Sequence, residues 1–354
     1  MFHYILKRLL LMIPTLFGVM LVTFMIIQFV PGGPIEQLTE QLQGKHGGLG
    51  GAEASTGMGV QGIYQGAQGL DAEQLDALKK LYGFDKPVWE RFWLMLDHYL
   101  QFDFGESYFH QQSVVELVIS KLPVSISLGL WTFFLTYAVC IPLGIKKAVK
   151  DGSSFDVTTS SIILVGYAIP GFMLGVFLLV LFGGGSFWDV FPLRGLVSDN
   201  WDELPWYAQI LDYLWHIFLP ITTMVVGNFA VMTMLTKNSF LEEIRKQYVL
   251  TARAKGLTEQ AILYKQVFRN AIIPLITGFP AAFIGAFFTG SLLIETVFSL
   301  DGLGLLSYES VLKRDYPVVL ATLYIFTLLG LVGKLLTDLS YVLIDPRIQF
   351  DAAK

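Results

Sequence analysis

Six long apolar runs decide what this chain can become. The first, Leu9 to Val30, covers 22 residues without a charge. At 1.5 Å per residue it reaches about 33 Å as a helix, enough to cross a hydrocarbon core. Further runs lie at Leu122–Ile145, Val157–Gly184, Leu214–Thr236, Ala271–Ile294 and Pro317–Ile344. Only the last contains ionisable groups of the Lys/Arg/Asp/Glu kind, Lys334 and Asp338. A 354-residue chain with 15% charged residues and a mean hydropathy of +0.57 is short of the surface charge a soluble protein carries. The expectation is an all-α integral membrane protein with six transmembrane helices. Lys7 and Arg8 precede the first run as in a signal peptide, but the run is too long for one. Pro31-Gly32-Gly33-Pro34 stands where a small-residue cleavage site would be, so an uncleaved first span is expected.

Loop charge sets the expected direction. With the N-terminus inside, segments 1–8, 146–156, 237–270 and 345–354 face the cytoplasm and hold 14 Lys/Arg against 7 Asp/Glu. The outer segments, 31–121, 185–213 and 295–316, hold 9 against 21. Both termini are therefore expected to be cytoplasmic. The chain divides as 1–30, a tail and first helix; 31–121, an extracytoplasmic insertion; 122–344, a five-helix core; and 345–354, a cytoplasmic tail. Within the insertion, residues 44–69 hold 10 glycines in 26 positions without apolar periodicity, the composition of a mobile loop. Asp71 and Gln74 have capping-box spacing for a helix ended by Gly83. Pro87 opens a second helix with Trp89, Phe92, Trp93, Leu96, Tyr99 and Leu100, which suits either an interfacial helix or a small packed subdomain.

Catalytic chemistry is not legible. The histidines at 3, 46, 98, 110 and 216 have no mutual metal-ligand spacing, and the single cysteine, Cys140, lies in an apolar run. No metal site is expected. His216 borders the outer end of the fourth run and reads as an interfacial histidine. No phosphate-binding G-x-x-x-x-G-K-[ST] loop occurs, so the chain is not expected to bind ATP that way or to be an enzyme. A net charge of −5 leaves no nucleic-acid footprint. Lys334 and Asp338, four apart on one helix face, invite an ion pair, with a gating or path role as the alternative. Asn228, with Thr222, Thr223 and Thr233, places polar groups in the fourth span, where they line an aqueous route or serve packing.

The stretch 237–270 carries the most information. Ser239 and Glu242 have capping-box spacing, with Phe240, Ile244 and Tyr248 as an apolar stripe. Then come Ala252-Arg253-Ala254-Lys255-Gly256-Leu257. Gly256 suits a left-handed C-cap and Leu257 the apolar residue such a cap packs back. Thr258 caps a second helix with Ile262, Leu263, Val267 and Phe268. The small Ala252 and Ala254 permit close approach by another surface, to which Arg253 and Lys255 offer charge-assisted contacts.

These residues resemble a known family. Tyr248 through Leu257, with Arg269-Asn270-Ala271 and Pro274, are similar to the coupling motif in permeases of ABC importers, in the dipeptide/oligopeptide/nickel branch. Ile13-Pro14-Thr15, Pro31-Gly32, Glu295-Thr296-Val297-Phe298 to Gly304, Arg314-Asp315-Tyr316-Pro317 and Asp345-Pro346-Arg347 resemble the same branch. The glycine-rich insertion and Pro192 to Ser198 are similar to its Yej-type peptide permeases. The coupling positions read Leu250-Thr251-Ala252 rather than Glu-Ala-Ala, so the acidic contact of other importers is not expected. Pro274 comes late after Gly256, which suits this branch rather than the sugar importers.

The resemblance implies a type I importer permease with the MetI-like fold, in the bacterial inner membrane. It implies a second homologous permease, two ABC ATPase domains that hold ATP and Mg²⁺, an extracytoplasmic peptide-binding protein, and oligopeptides or microcin C-like peptide antibiotics as cargo. Tyr248 and Thr251 to Leu257 become the contact with the ATPase; Asn228, Lys334 and Asp338 stay candidate path or gating residues on the strength of their place in the spans, with packing or pairing as the alternative. A self-contained channel explains the spans but not the docking-shaped loop. An intramembrane protease requires a base that no deep histidine supplies.

Overall fold

The computed structural model describes residues 2–29, 85–110, 112–184, 187–288 and 291–344. The proposed Asp71 helix, the glycine-rich stretch and Asp345-Pro346-Arg347 lie outside them. The described residues are helical apart from loops and two isolated bridges. Five helices are long and apolar enough to cross a bilayer. They begin with α1 (Phe2–Phe29), followed after the short α2 (Val88–Leu100) by α3 (Val114–Val149).

The third apolar run departs from expectation. Val157–Gly184 is not one straight helix but two, α4 (Ser154–Ala168) and α5 (Gly171–Phe182), bent by 93°. Pro170 explains the break: its ring disfavours the helical region at the preceding residue, and Ile169 is extended at φ −86°, ψ 120°. Six spans result when the bent pair is counted as one.

The fourth run also extends beyond its apolar core. α6 (Trp206–Ile244) continues through Ser239, which is therefore not an N-cap; its Oγ donates to the Ala271 carbonyl at 2.5 Å. After α6 come α7 (Gln247–Ala254) and a return stretch of helix Glu259–Ile262, π-helix Leu263–Val267 and helix Phe268–Ala271. Then follow α8 (Ile273–Phe288), α9 (Leu292–Val297), α10 (Leu303–Lys313) and α11 (Tyr316–Ile344).

Two compact units divide the chain. The smaller comprises residues 17–117 and 310–324. There α2 is amphipathic: Phe92, 1% exposed, lies against Phe17 and Phe24 with ring centroids 5.6 and 5.2 Å away, and Arg91 Nη2 donates to Gln28 at 2.7 Å. Trp89 and Trp93 face outward. One face of α2 is thus packed and the other leaves Trp89 and Trp93 exposed. Buried Asp315 ties the loop after α2, accepting from Ser107 Oγ at 2.5 Å and Tyr108 N at 3.2 Å.

The larger unit comprises residues 1–16, 118–309 and 325–354. One of its apolar cores gathers Leu128, Ile217, Leu219, Ile221, Val225, Ile294, Phe298 and Leu300. A second joins Ile145 and Ala148 of α3, Phe240 of α6, Val249 and Ala252 of α7, and Ile262, Val267 and Ala271. Close approach is built in where α3 meets α8: a Cβ on Gly129 would stand 1.6 Å from the Ala286 carbonyl oxygen, so any side chain there forces the helices apart.

Candidate functional site

The turn between α7 and the return stretch is closed by its own backbone. Gly256 has φ +77°, its N–H donates to the Arg253 carbonyl at 2.9 Å, and Leu257 N–H donates to the Ala252 carbonyl at 3.3 Å. This pair of bonds is a Schellman motif, which satisfies the orphan carbonyls at the helix end. Thr258 then caps the return, its Oγ1 accepting from Ala261 N at 3.3 Å. A side-chain lock spans the turn: Arg253 Nε and Nη2 donate to the two Glu259 oxygens at 2.7 and 3.0 Å. The guanidinium holds the Glu259 carboxyl below its ordinary range, and Glu259 raises Arg253 in return.

The turn is also tied to the stem. Tyr248 Oη donates to Glu243 at 2.8 Å and accepts from Asn270 Nδ2 at 3.4 Å, joining α6, α7 and the return stretch. Burial pushes the Tyr248 hydroxyl above its ordinary pKa. Lys246 pairs with Glu243, whose hydrogen bond raises its pKa.

The individual side chains do not all face where the sequence placed them. Ala252 is 3% exposed and turned into the apolar core, leaving it no part in an outer surface. Arg253 is engaged by Glu259 within this chain. Leu257 does not pack back; it is 43% exposed. Thr251, Ala254, Lys255 and Gly256 are exposed as well. Leu250 and Tyr264 are 58% and 60% exposed, so apolar and polar side chains share the exposed positions around the turn. Helical spacing marks which positions share a face; packing alone decides which face is inward.

A cavity of about 390 Å³ lies between α3, α6 and α8, lined by Thr132, Phe133, Thr136, Tyr137, Met224 and Asn228 among others. Phe133 anchors its aromatic wall, with Tyr137 and Phe279 at 4.6 and 5.1 Å. Asn228 is exposed, and its Nδ2 donates to the Met224 carbonyl at 3.0 Å. Thr223 and Thr233 are buried, Thr223 donating to the Pro220 carbonyl, so these two serve packing. His216 is likewise buried, its Nδ1 2.8 Å from the Asp212 carbonyl oxygen.

Lys334 and Asp338 do not form the expected pair. Asp338 Oδ2 lies 2.9 Å from Arg8 Nη2, close in distance though not aligned as a hydrogen bond, while Lys334 is exposed. Arg8 flanks the first span and competes from another helix, which spacing along α11 does not reveal. Sequence reasoning also passed over Glu259 and Asp315. Glu259 six residues after Arg253 was the available signal for the first; Asp315 had none beyond its place in the Arg314–Pro317 stretch.

Residues 140–350 match the family of binding-protein-dependent transport system inner membrane components, and the chain belongs to that family. It is 57% identical over 357 residues to the peptidoglycan transport system permease protein YejB of Agrobacterium fabrum, covering 98% of each chain. It is 55% identical over 359 residues to the inner membrane ABC transporter permease protein YejB of Escherichia coli O157:H7, covering 98% of this chain and 99% of the other. The oligopeptide transport system permease protein AppB of Bacillus subtilis is 31% identical over 348 residues, with 98% and 99% covered. The chain is a multi-pass inner-membrane permease subunit of a peptide ABC importer with the MetI-like fold.

Proposed function

We propose that the Ala252–Leu257 turn receives the movement of an ATPase partner and that the α3–α6–α8 cavity forms this chain's share of the peptide route. The observation that carries the first part is the closed Gly256 turn, with Leu250, Leu257 and Tyr264 exposed beside Lys255 and an inner face packed against the ends of α3 and α6. A rigid element of this kind transmits displacement; a flexible loop absorbs it. Asn228 supports the second part. An exposed amide within a span is costly against lipid and suits water, a peptide backbone or a second permease.

In this reading both termini are cytoplasmic and the chain pairs with a second homologous permease, two ABC ATPase domains and an extracytoplasmic peptide-binding protein. ATP and Mg²⁺ act on the ATPase partners, and this chain performs no hydrolysis itself. Closure of the ATPases biases a two-state change of access. Cargo is oligopeptide, including microcin C-like antibiotics. The Agrobacterium relative's name, a peptidoglycan transport system permease, adds peptidoglycan as a second class to assay.

Cysteine cross-linking tests the docking part. Cys140 is buried, so a Lys255→Cys variant presents one accessible thiol among the described residues. The expected result is a cross-link to an ATPase subunit in the purified complex. An ATPase that co-purifies in full yet never cross-links from this position overturns the assignment.

A further inference from the structure

A second set of contacts, behind the turn, joins the α6 stem to α4. Lys147, at the end of α3, is fully buried. Its Nζ donates to the Asp156 carbonyl at 2.8 Å, Thr159 Oγ1 at 2.8 Å and Ser160 Oγ at 2.7 Å, and lies 3.0 Å from Asp156 Oδ1. These acceptors occupy one face at the start of α4. From the opposite side Lys237 of α6 donates to Asp156 Oδ2 at 2.7 Å and pairs with Asp151 at 2.9 Å. Asp151 also meets Arg245, the C-cap of α6 two residues before α7 begins, at 3.2 Å. The start of α4 is therefore gripped from α3 and from α6 at once.

We infer that Lys147, Asp156 and Lys237 are positioning residues that lock the α3–α4 connection to the α6 stem, so that displacement of the turn reaches α4 as a rigid movement. The inference rests on the coupling role proposed above. Apolar contacts between helices tolerate sliding, because dispersion has no direction. This lock does not: a one-residue slip of α6 is a shift of about 1.5 Å, enough to separate Lys237 from its carboxylates and strand buried charge. An ion cluster of this kind is weak evidence for stability and a better means of fixing register. Beyond the lock, α4 leads through the Pro170 bend into α5. A Cβ on Gly175 there would stand 3.3 Å from Phe298 and 3.5 Å from Thr223, so the moved helix bears directly on the far core.

The test measures peptide uptake per ATP hydrolysed, in assembled transporter reconstituted with its ATPases and peptide-loaded binding protein. For Lys237→Met the ratio should fall about tenfold, within the range usual for coupling between sites, while Lys237→Arg keeps it. An assembled K237M complex with the parent ratio overturns the inference. If K237M does not assemble, Asp151→Asn decides, since it loosens only the partly exposed outer link. Its ratio should fall about fivefold, and an unchanged ratio overturns the lock. Gly256→Val, run alongside, separates the two readings. Loss of uptake in G256V with an unchanged ratio in K237M defeats the lock alone; normal uptake and peptide-stimulated ATPase activity in G256V defeat the coupling role of the turn.

Discussion

Arg253 and Glu259 face each other across the Gly256 turn and are joined by two parallel bonds of 2.7 and 3.0 Å. The fork ties the last turn of α7 to the first turn of the return stretch, so the loop between them is fixed by side chains as well as by its Schellman bonds. Arginine suits the position because its planar guanidinium matches both carboxylate oxygens at once. An Arg253→Lys change keeps the charge and loses the fork.

Glu259 makes the turn acid-sensitive in one direction. Its carboxyl is held below its ordinary range by Arg253. The bond is therefore complete above the free carboxylate value of about 4.3 and is lost as pH falls through the lower folded value. The protection factors of the Gly256 and Leu257 amides, taken relative to intrinsic exchange at each pH, should be high at neutral pH and fall only in acid. Glu259→Gln should show the low protection already at pH 7, and equal protection in both proteins would refute this account.

Gly256 is required for its φ and not for space. Nothing lies within 4 Å of a Cβ built there, yet φ is +77°. A non-glycine residue in this region costs roughly 1–2 kcal/mol, and valine suffers most because it is branched at Cβ. Gly256→Val should reduce peptide uptake and peptide-stimulated ATPase activity, whereas Gly256→Asn, which adopts this conformation more readily, should retain most of both. Equal loss in the two variants would point to a cause other than φ.

Gly129 is the opposite case. A methyl group there meets the Ala286 carbonyl oxygen at 1.6 Å, so Gly129→Ala must separate α3 from α8. Overpacking of this kind costs about 1–3 kcal/mol. Thermal unfolding in detergent should begin at a clearly lower temperature than for Gly105→Asn, a change at a loop glycine with open space and φ +75°.

Glu295 of α9 braces the connection from α9 to α10. The buried carboxylate accepts from Ser291 N at 3.0 Å and Leu305 N at 2.6 Å, and a Cβ on Gly302 would stand 2.6 Å from its Cδ. Glu295→Ala leaves those N–H groups without their acceptor, at about 1–3 kcal/mol each when buried. Limited proteolysis should then cut within 299–305 faster than in the parent. Unchanged protection would show that the loop is held by other contacts.

The sequence by itself determined that the chain crosses a membrane, roughly where, and where the glycine-closed turn after α7 lies. Those signals are local. A run of apolar residues, a proline, or a glycine after an alanine-rich helix end carries its meaning within a few positions, because bilayer thickness and backbone sterics act on the segment itself. Gly256 and the Thr258 cap were legible for that reason. So was the resemblance to peptide importers, which the family match and the YejB relatives bear out.

Only the tertiary structure decided which groups meet. Asp338 had Lys334 one turn away but pairs with Arg8. Ala252, a candidate for an outer surface, faces a core, and the single expected span from Val157 is bent by 93°. Lys147 and Lys237 appeared in the sequence merely as positive loop charge, and they share one buried aspartate. Charge pairing and helix rotation depend on neighbours tens or hundreds of residues distant. The competing partners have similar local credentials, and the choice among them is made by whichever arrangement leaves no buried charge alone and no core unfilled.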